Sequence, residues 1–154
     1  MKCHIITKLI FYLAYVFLFS QVNTSKLNAQ RSKDAIRVSN RDYMRFADSV
    51  DCDSIEGVSL VEKICLNIEF QRVDSILARR IDTYVSMSDD ATERSQKLIY
   101  HDIWLENRNF HSASFAKYFD GHYRDIYYFE LIILATRKRI EELETIFEIF
   151  WVKY

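Results

Sequence analysis

The sequence predicts an all-α protein, a small antiparallel bundle of three main helices with a short N-terminal helix and one disulfide. Its 154 residues include no Pro and only two Gly, so the strongest helix breakers are almost absent. Apolar residues recur at spacings of three and four over long stretches, as they do on amphipathic helices. Two cysteines, Cys52 and Cys65, supply the expected disulfide.

The N-terminus has the organisation of a secretory signal peptide over residues 1–29. Lys2 and Lys8 precede eleven uninterrupted apolar residues at positions 9–19, and a polar stretch then ends at Ala29. Spanning a bilayer takes about 20 apolar residues, so this run is too short for a membrane helix. We therefore expect cleavage after Ala29 and a periplasmic or secreted protein, with a retained N-terminal anchor as the alternative. Cys3 would leave with the peptide.

The predicted mature chain is mildly acidic. Removing residues 1–29 takes away three lysines and no acid, which leaves 18 basic residues (21 − 3) against 22 acidic ones, a net charge of −4. This balance argues against nucleic-acid binding, which uses a basic patch, and mildly favours cationic partners. The remaining 125 residues suit a single domain. Two thiols alone cannot complete a zinc shell, so Cys52 and Cys65 are predicted to form a disulfide.

The first part of the mature chain is predicted to hold an extension and the first main helix. Residues 30–50 form the extension, in which residues 31–40 are polar and expected to fray and residues 41–50 add a short helix. Residues 51–57 are predicted as a loop, and Ser59 followed by Glu62 is a capping-box signal for a helix start. The apolar face of this helix is predicted at Leu66, Phe70, Val73, Leu77, Ile81 and Tyr84.

Two further helices are predicted. Asp90 followed by Glu93 signals the start of a helix over residues 91–110. Residues 111–123 are less periodic and are predicted as a loop or a bent helical connection. The inner face of the middle helix is predicted to carry Leu98, Ile99, Ile103, Trp104 and Leu105, and that of the last helix Phe129, Ile133, Thr136, Ile140, Leu143, Phe147 and Phe150.

No catalytic or cofactor-binding motif is present in the sequence. It contains no G-x-S-x-G, G-x-x-x-x-G-K or H-E-x-x-H, and the spacing of His101, His111 and His122 matches no metal-ligand pattern. Glutamates between residues 141 and 148 are interpreted as a solvated helix face, with a glycosidase-like carboxylate pair as the alternative. We therefore expect a protein that is not an enzyme and that holds neither cofactor nor metal.

Aromatic residues are dense between residues 115 and 129 and again at 147–154. Core packing accounts for most of these rings. The alternative is that part of them lies exposed as a protein-contact surface, because a bundle of this size has a limited interior.

Five short motifs follow one another within residues 51–145. They are Asp51-Cys52, Glu62-x-x-Cys65, Asp74-x-x-Leu77, Trp104-x-x-x-Arg108 and Thr136-x-x-Arg139-x-x-x-Leu143. In this order they resemble the N-terminal-type domain of the LprI lysozyme inhibitors, and the resemblance implies an LprI-like helical domain over residues 51–154. Members of that family typically carry a second cysteine pair, which this chain lacks. We expect Trp104 and Leu143 in the core, and Asp74 paired with Arg108 or Arg139 across helices.

The resemblance implies an exported protein that binds lysozyme and protects the cell envelope. Lysozymes keep catalytic carboxylates in an open cleft and are commonly cationic, which suits an acidic inhibitor with a donor-bearing loop. Lys117, His122 and Arg124, set among aromatic residues, are the expected contacts of that loop. The alternative is a non-inhibitory envelope interaction or assembly protein that uses the aromatic residues at 147–154. The sequence does not indicate an oligomeric state.

Overall fold

The computed structural model describes residues 33–53 and 59–153, and all regular secondary structure within these ranges is helical. Helix α1 spans Lys33–Ser39 and is followed by a 3-10 helix at Asp42–Ser49. Three long helices come next: α2 at Ser59–Ser86, α3 at Ala91–Ala116 and α4 at Gly121–Lys153. The predicted fold class is confirmed. The predicted signal peptide, residues 1–29, lies outside the described residues.

The three long helices run up, down and up. Short connections at residues 87–90 and 117–120 reverse the chain, so consecutive helices are antiparallel. Helices α2 and α4 are consequently parallel, and they share the most extensive interface in the bundle. Lys63 on α2 bonds Asp125 on α4 at 3.1 Å near one end, and Arg80 bonds Glu144 at 2.9 Å nearer the other.

Two apolar clusters fill the space between α2 and α4. All of the positions predicted for the apolar faces of these two helices are buried or half-buried, which confirms both faces. Burial of these faces removes apolar surface from water and is the main source of the stability of the bundle. One cluster contains Val38, Phe70, Val73, Phe129, Ile132 and Ile133, and the other Leu77, Ile81, Leu143 and Phe147.

The segment ahead of α2 contributes to the core. Residues 33–39 form a helix where fraying was expected, because Val38 is only 1 % exposed and its carbonyl accepts a 2.9 Å hydrogen bond from Asn67 Nδ2. The same amide donates to the Tyr43 hydroxyl at 3.0 Å. Residues 41–50 were predicted to contain a short helix and hold the 3-10 helix that carries Tyr43. Burial of this phenol raises its pKa.

The Cys52–Cys65 disulfide is formed, as the sequence predicted. Its Cα atoms lie 5.5 Å apart, and Cys65 is buried within the second turn of α2. The bond therefore ties the chain that follows the 3-10 helix to the start of the bundle.

A carboxylate at the rim of the α2–α4 interface links the two helices. Glu69 accepts hydrogen bonds from Arg72 on its own helix, at 2.6 and 2.8 Å, and from Arg137 on α4 at 2.5 Å. The hydrogen bonds from these two arginines hold the pKa of Glu69 at about 2. Glu69 is therefore ionised in all but strongly acidic solution.

Helix α3 begins as predicted. Asp90 caps it, accepting a 2.9 Å hydrogen bond from the backbone N–H of Glu93. Lys97 on its second turn donates to the carbonyl of Tyr84 at 3.1 Å and also bonds the hydroxyl of Ser88. These contacts hold the α2–α3 connection against the helix.

The C-terminal part of α3 differs from the prediction. The helix continues to Ala116, so the expected loop or bent connection at residues 111–123 is reduced to residues 117–120. Ser112 does not interrupt the helix because its hydroxyl donates back to the Arg108 carbonyl at 2.9 Å. Gly121 then begins α4 with φ at +58°, a left-handed conformation that favours glycine.

The predicted inner face of α3 is partly wrong. Ile99 and Ile103 are 56 % and 52 % exposed, so they lie on the solvent side of the helix. The buried positions of α3 are mostly polar instead, which is why its apolar pattern pointed to the wrong side. These positions are His101, Arg108, Ser112 and Ala116, with Leu98, Trp104 and Leu105 half-buried beside them.

Candidate functional site

Three polar side chains meet inside the bundle, one from each long helix. Nη1 of Arg108 on α3 donates to Oδ1 of Asp74 on α2 at 2.7 Å and to Oγ1 of Thr136 on α4 at 3.0 Å. The Thr136 hydroxyl donates to the Ile132 carbonyl at 2.6 Å. The side chains of Arg108 and Asp74 are only 1 % and 7 % exposed, so the ion pair is excluded from water. This network therefore holds the three helices in one register.

Arg139 is a second buried cation, one turn beyond Thr136 on α4. Its Nη1 donates at 2.8 Å to Glu142, whose side chain is 61 % exposed. Its guanidinium carbon lies 5.1 Å from the ring centre of Tyr100 and 5.9 Å from that of Trp104. The buried Nε has no hydrogen-bond partner among the described residues, at a cost of about 1–3 kcal/mol for such a donor. The described residues therefore leave this one donor of Arg139 unsatisfied.

The structure brings most of the motif residues together. Leu77 and Leu143 are buried in the second apolar cluster, against which Trp104 packs. Glu62 lies half-buried in the first turn of α2. Asp74 pairs with Arg108, one of its two expected partners. The residues gathered around the buried polar network are Asp74, Trp104, Arg108, Thr136 and Arg139.

A groove of about 770 Å³ lies between α3 and α4, directly over these two arginines. Four of its lining residues are basic and one, Glu142, is acidic. Most of the remaining lining is apolar or aromatic, and several of these side chains are well exposed. The basic lining residues are Arg108, Lys117, Lys138 and Arg139, and the apolar and aromatic ones are Trp104, Phe115, Tyr118, Leu131, Leu134 and Ala135.

Sequence reasoning missed this groove. On α4 it is lined by residues 131, 134, 135 and 138, a second stripe with helical spacing beside the core-facing one. Glu142 was interpreted only as part of a solvated helix face. The stripe is visible in the sequence, but the opposing wall depends on which face of α3 is turned toward α4.

Of the three expected partner contacts, Lys117 begins the α3–α4 connection, and His122 and Arg124 lie on the first turn of α4. Lys117, His122 and Arg124 are all exposed. Arg124 also has a structural task, because its Nε donates to the Phe119 carbonyl at 3.0 Å and its Nη2 reaches Asp120 at 3.4 Å. Beside these residues, the exposed fractions of Phe115, Tyr118 and Tyr123 are 50 %, 78 % and 63 %.

The three histidines considered as metal ligands, His101, His111 and His122, lie at different positions in the bundle. His101 is buried and stacks on Trp104 with ring centres 6.0 Å apart, whereas His111 and His122 are exposed. Within residues 33–53 and 59–153, no group of three or more His, Cys, Asp and Glu side chains is arranged to hold a metal ion. In the same ranges, no helix combines the length and apolarity that crossing a membrane requires.

Comparison with known proteins adds no family. No family model matches this sequence, no curated protein matches it, and no solved structure matches its fold.

Proposed function

We propose that this is an exported binding protein that docks on lysozyme and protects the cell envelope by obstructing the lysozyme cleft. The observation that supports this proposal is the region around the α3–α4 connection, where basic side chains and the rings of Phe115, Tyr118 and Tyr123 are exposed. The order of motifs in this chain also resembles that of LprI-type inhibitors. The Cys52–Cys65 disulfide suits an oxidising compartment outside the cytosol.

The composition of this region suits a protein interface. Interfaces are enriched in aromatic residues and arginine, and the aromatic side chains bury large areas with few rotatable bonds. Tyr118 is 78 % exposed, and the ammonium group of Lys117 lies 5.2 Å from its ring centre. A partner that covers this pair gains apolar contact from the ring and an ionic contact from the lysine.

Opposite charges would favour the encounter with lysozyme. The net charge of −4 expected for the mature chain attracts a cationic enzyme over a distance, while the basic turn suits an acidic cleft at close range. Lys117 and His122 would donate to catalytic carboxylates, and Arg124 would hold the turn in shape through its bond to the Phe119 carbonyl. Inhibition would follow because polysaccharide and turn cannot occupy the cleft together.

The test is a lysozyme turnover assay on cell-wall substrate with the purified, disulfide-intact protein. We expect inhibition at micromolar excess of the protein. Lys117→Ala and Tyr118→Ala, both on exposed side chains, should each weaken inhibition by about tenfold, as loss of an interface anchor does. Arg80→Ala is the matched control, since it removes an exposed positive charge from α2 and should leave inhibition unchanged. No inhibition by the unaltered protein at this excess contradicts the proposal.

A second function is supported by the C-terminal end of α4. Ile149 and Trp151 are 54 % and 70 % exposed, which suits docking to an envelope partner or self-association. Deleting residues 147–154 would also remove Phe147, which is only 8 % exposed and belongs to the core. The cleaner variant is therefore Ile149→Ala with Trp151→Ala. Loss of an oligomer or a partner with lysozyme inhibition retained would assign this surface to a separate role.

A further inference from the structure

We propose that the groove between α3 and α4 binds one alkyl carboxylate, with its anionic head at Arg139 and its hydrocarbon chain along the apolar wall. This inference does not rest on lysozyme binding. It follows from three properties of the groove: its size, its apolar wall, and its excess of positive charge.

The size and wall of the groove suit the hydrocarbon part of such a ligand. Its volume of about 770 Å³ lies within the range of small-molecule sites, about 300–1,000 Å³. Leu134 is 52 % exposed and Phe115 50 % exposed, although both line a concave surface. An alkyl chain laid between them removes apolar surface from water on both partners, which favours binding.

The charge balance of the groove selects an anion. Four basic side chains line it against one acidic side chain, Glu142. The charge of Arg108 is already compensated from the α2 side by Asp74 at 2.7 Å. Arg139 differs, because it pairs with the largely exposed side chain of Glu142. That carboxylate lies at the groove surface rather than inside the bundle.

Arg139 is therefore the position for the head group. A ligand carboxylate that displaces the Glu142 side chain would accept from Nη1, which Glu142 engages at 2.8 Å. A charge-assisted hydrogen bond of this kind is stronger than a neutral one. Inorganic phosphate would pair with the Arg139 guanidinium but leave the apolar wall exposed to water, so an amphipathic anion is the better fit.

The test uses dodecanoate, kept below its micelle concentration, and the purified protein with its disulfide intact. The chain has two tryptophans, and Trp104 lines the groove while Trp151 lies outside it. In the Trp151→Phe background, Trp104 alone reports binding by fluorescence, and calorimetry gives the stoichiometry. We expect saturable binding of one dodecanoate per chain. Dodecanol, which has no charged head, should bind about tenfold more weakly or less.

Two variants in the same background separate the contributions of head and wall. Arg139→Met keeps a long apolar side chain but removes the donors, so it should weaken dodecanoate by about tenfold or more and leave dodecanol nearly unchanged. Leu134→Glu changes an exposed position, which preserves the fold, and should abolish dodecanoate binding by repulsion and loss of apolar contact. Arg80→Met removes a guanidinium outside the groove and should have no effect.

Several results would overturn the proposal. They are the absence of saturable dodecanoate binding, equal affinity for dodecanoate and dodecanol, and unchanged affinity in folded Leu134→Glu protein. If a second copy of this chain covers the groove instead, Leu134→Glu would convert a dimer into a monomer in light scattering and dodecanoate would bind neither form. Lysozyme inhibition is measured on the same variants. Failure of the dodecanoate proposal is then seen separately from failure of the lysozyme proposal.

Discussion

Replacing Asp74 with Asn tests whether the buried ion pair holds the three helices together. The change preserves shape and one acceptor oxygen but leaves the positive charge of Arg108 without its 2.7 Å carboxylate partner. Removing one member of a buried pair typically costs about 3–5 kcal/mol. Arg108 keeps its 3.0 Å bond to Thr136 and its place 5.3 Å from the Phe70 ring centre, so we expect the lower end of that range, about 3 kcal/mol.

The measurement is urea unfolding followed by far-UV circular dichroism at neutral pH. The midpoint should fall while the slope with denaturant stays constant, because the folded and unfolded surfaces barely change. The matched control is Glu144→Gln, which breaks the exposed ion pair with Arg80 and should cost less than about 1 kcal/mol. The double variant Asp74→Leu with Arg108→Met removes both charges and should restore most of the lost stability.

Two outcomes would refute this reasoning. The first is an Asp74→Asn cost below about 1 kcal/mol, the value of an exposed pair, which would mean that water reaches Arg108. The second is a loss of stability in the double variant that equals the sum of the losses in the single variants Asp74→Leu and Arg108→Met. This would show that the two side chains do not act as a pair.

Three further predictions concern stability. The pKa of Glu69 is lowered to about 2 in the folded protein, so its contribution to stability is present above about pH 4.5 and lost as the pH falls toward 2. After allowance for the exposed arginines, this contribution amounts to about 1 kcal/mol. The stability difference between wild type and Glu69→Gln should therefore vanish in acid titration. The paired change Cys52→Ser with Cys65→Ser should destabilise by about 3 kcal/mol in urea unfolding, and reduction of the wild type should match it. An unchanged midpoint would contradict this expectation. Asp90→Ala removes the acceptor for the Glu93 N–H and should lower stability by about 1 kcal/mol, while Asp90→Ser, a replacement cap, should recover most of it.

The sequence by itself determined the helical class and the faces of α2 and α4. Their apolar residues repeat at helical spacing, and such a stripe has to be buried. The Asp90 cap was equally readable, since a side-chain acceptor and the N–H it satisfies are three residues apart. The disulfide was predictable from the number of cysteines, because a single pair remained once the expected signal peptide was removed.

Only the tertiary structure decided how α3 is turned and what it builds with α4. Periodicity assigns the apolar side of a helix to the core, but α3 buries Arg108 and Ser112 and exposes Ile99 and Ile103. Burial of Arg108 is tolerated only because Asp74 and Thr136 reach it from the two other helices, 34 and 28 residues away in sequence. The same rotation of α3 opens the groove over Arg139. Spacing along one helix does not contain the register between helices, so neither the choice of Arg108 as the partner of Asp74 nor the groove was open to sequence reasoning.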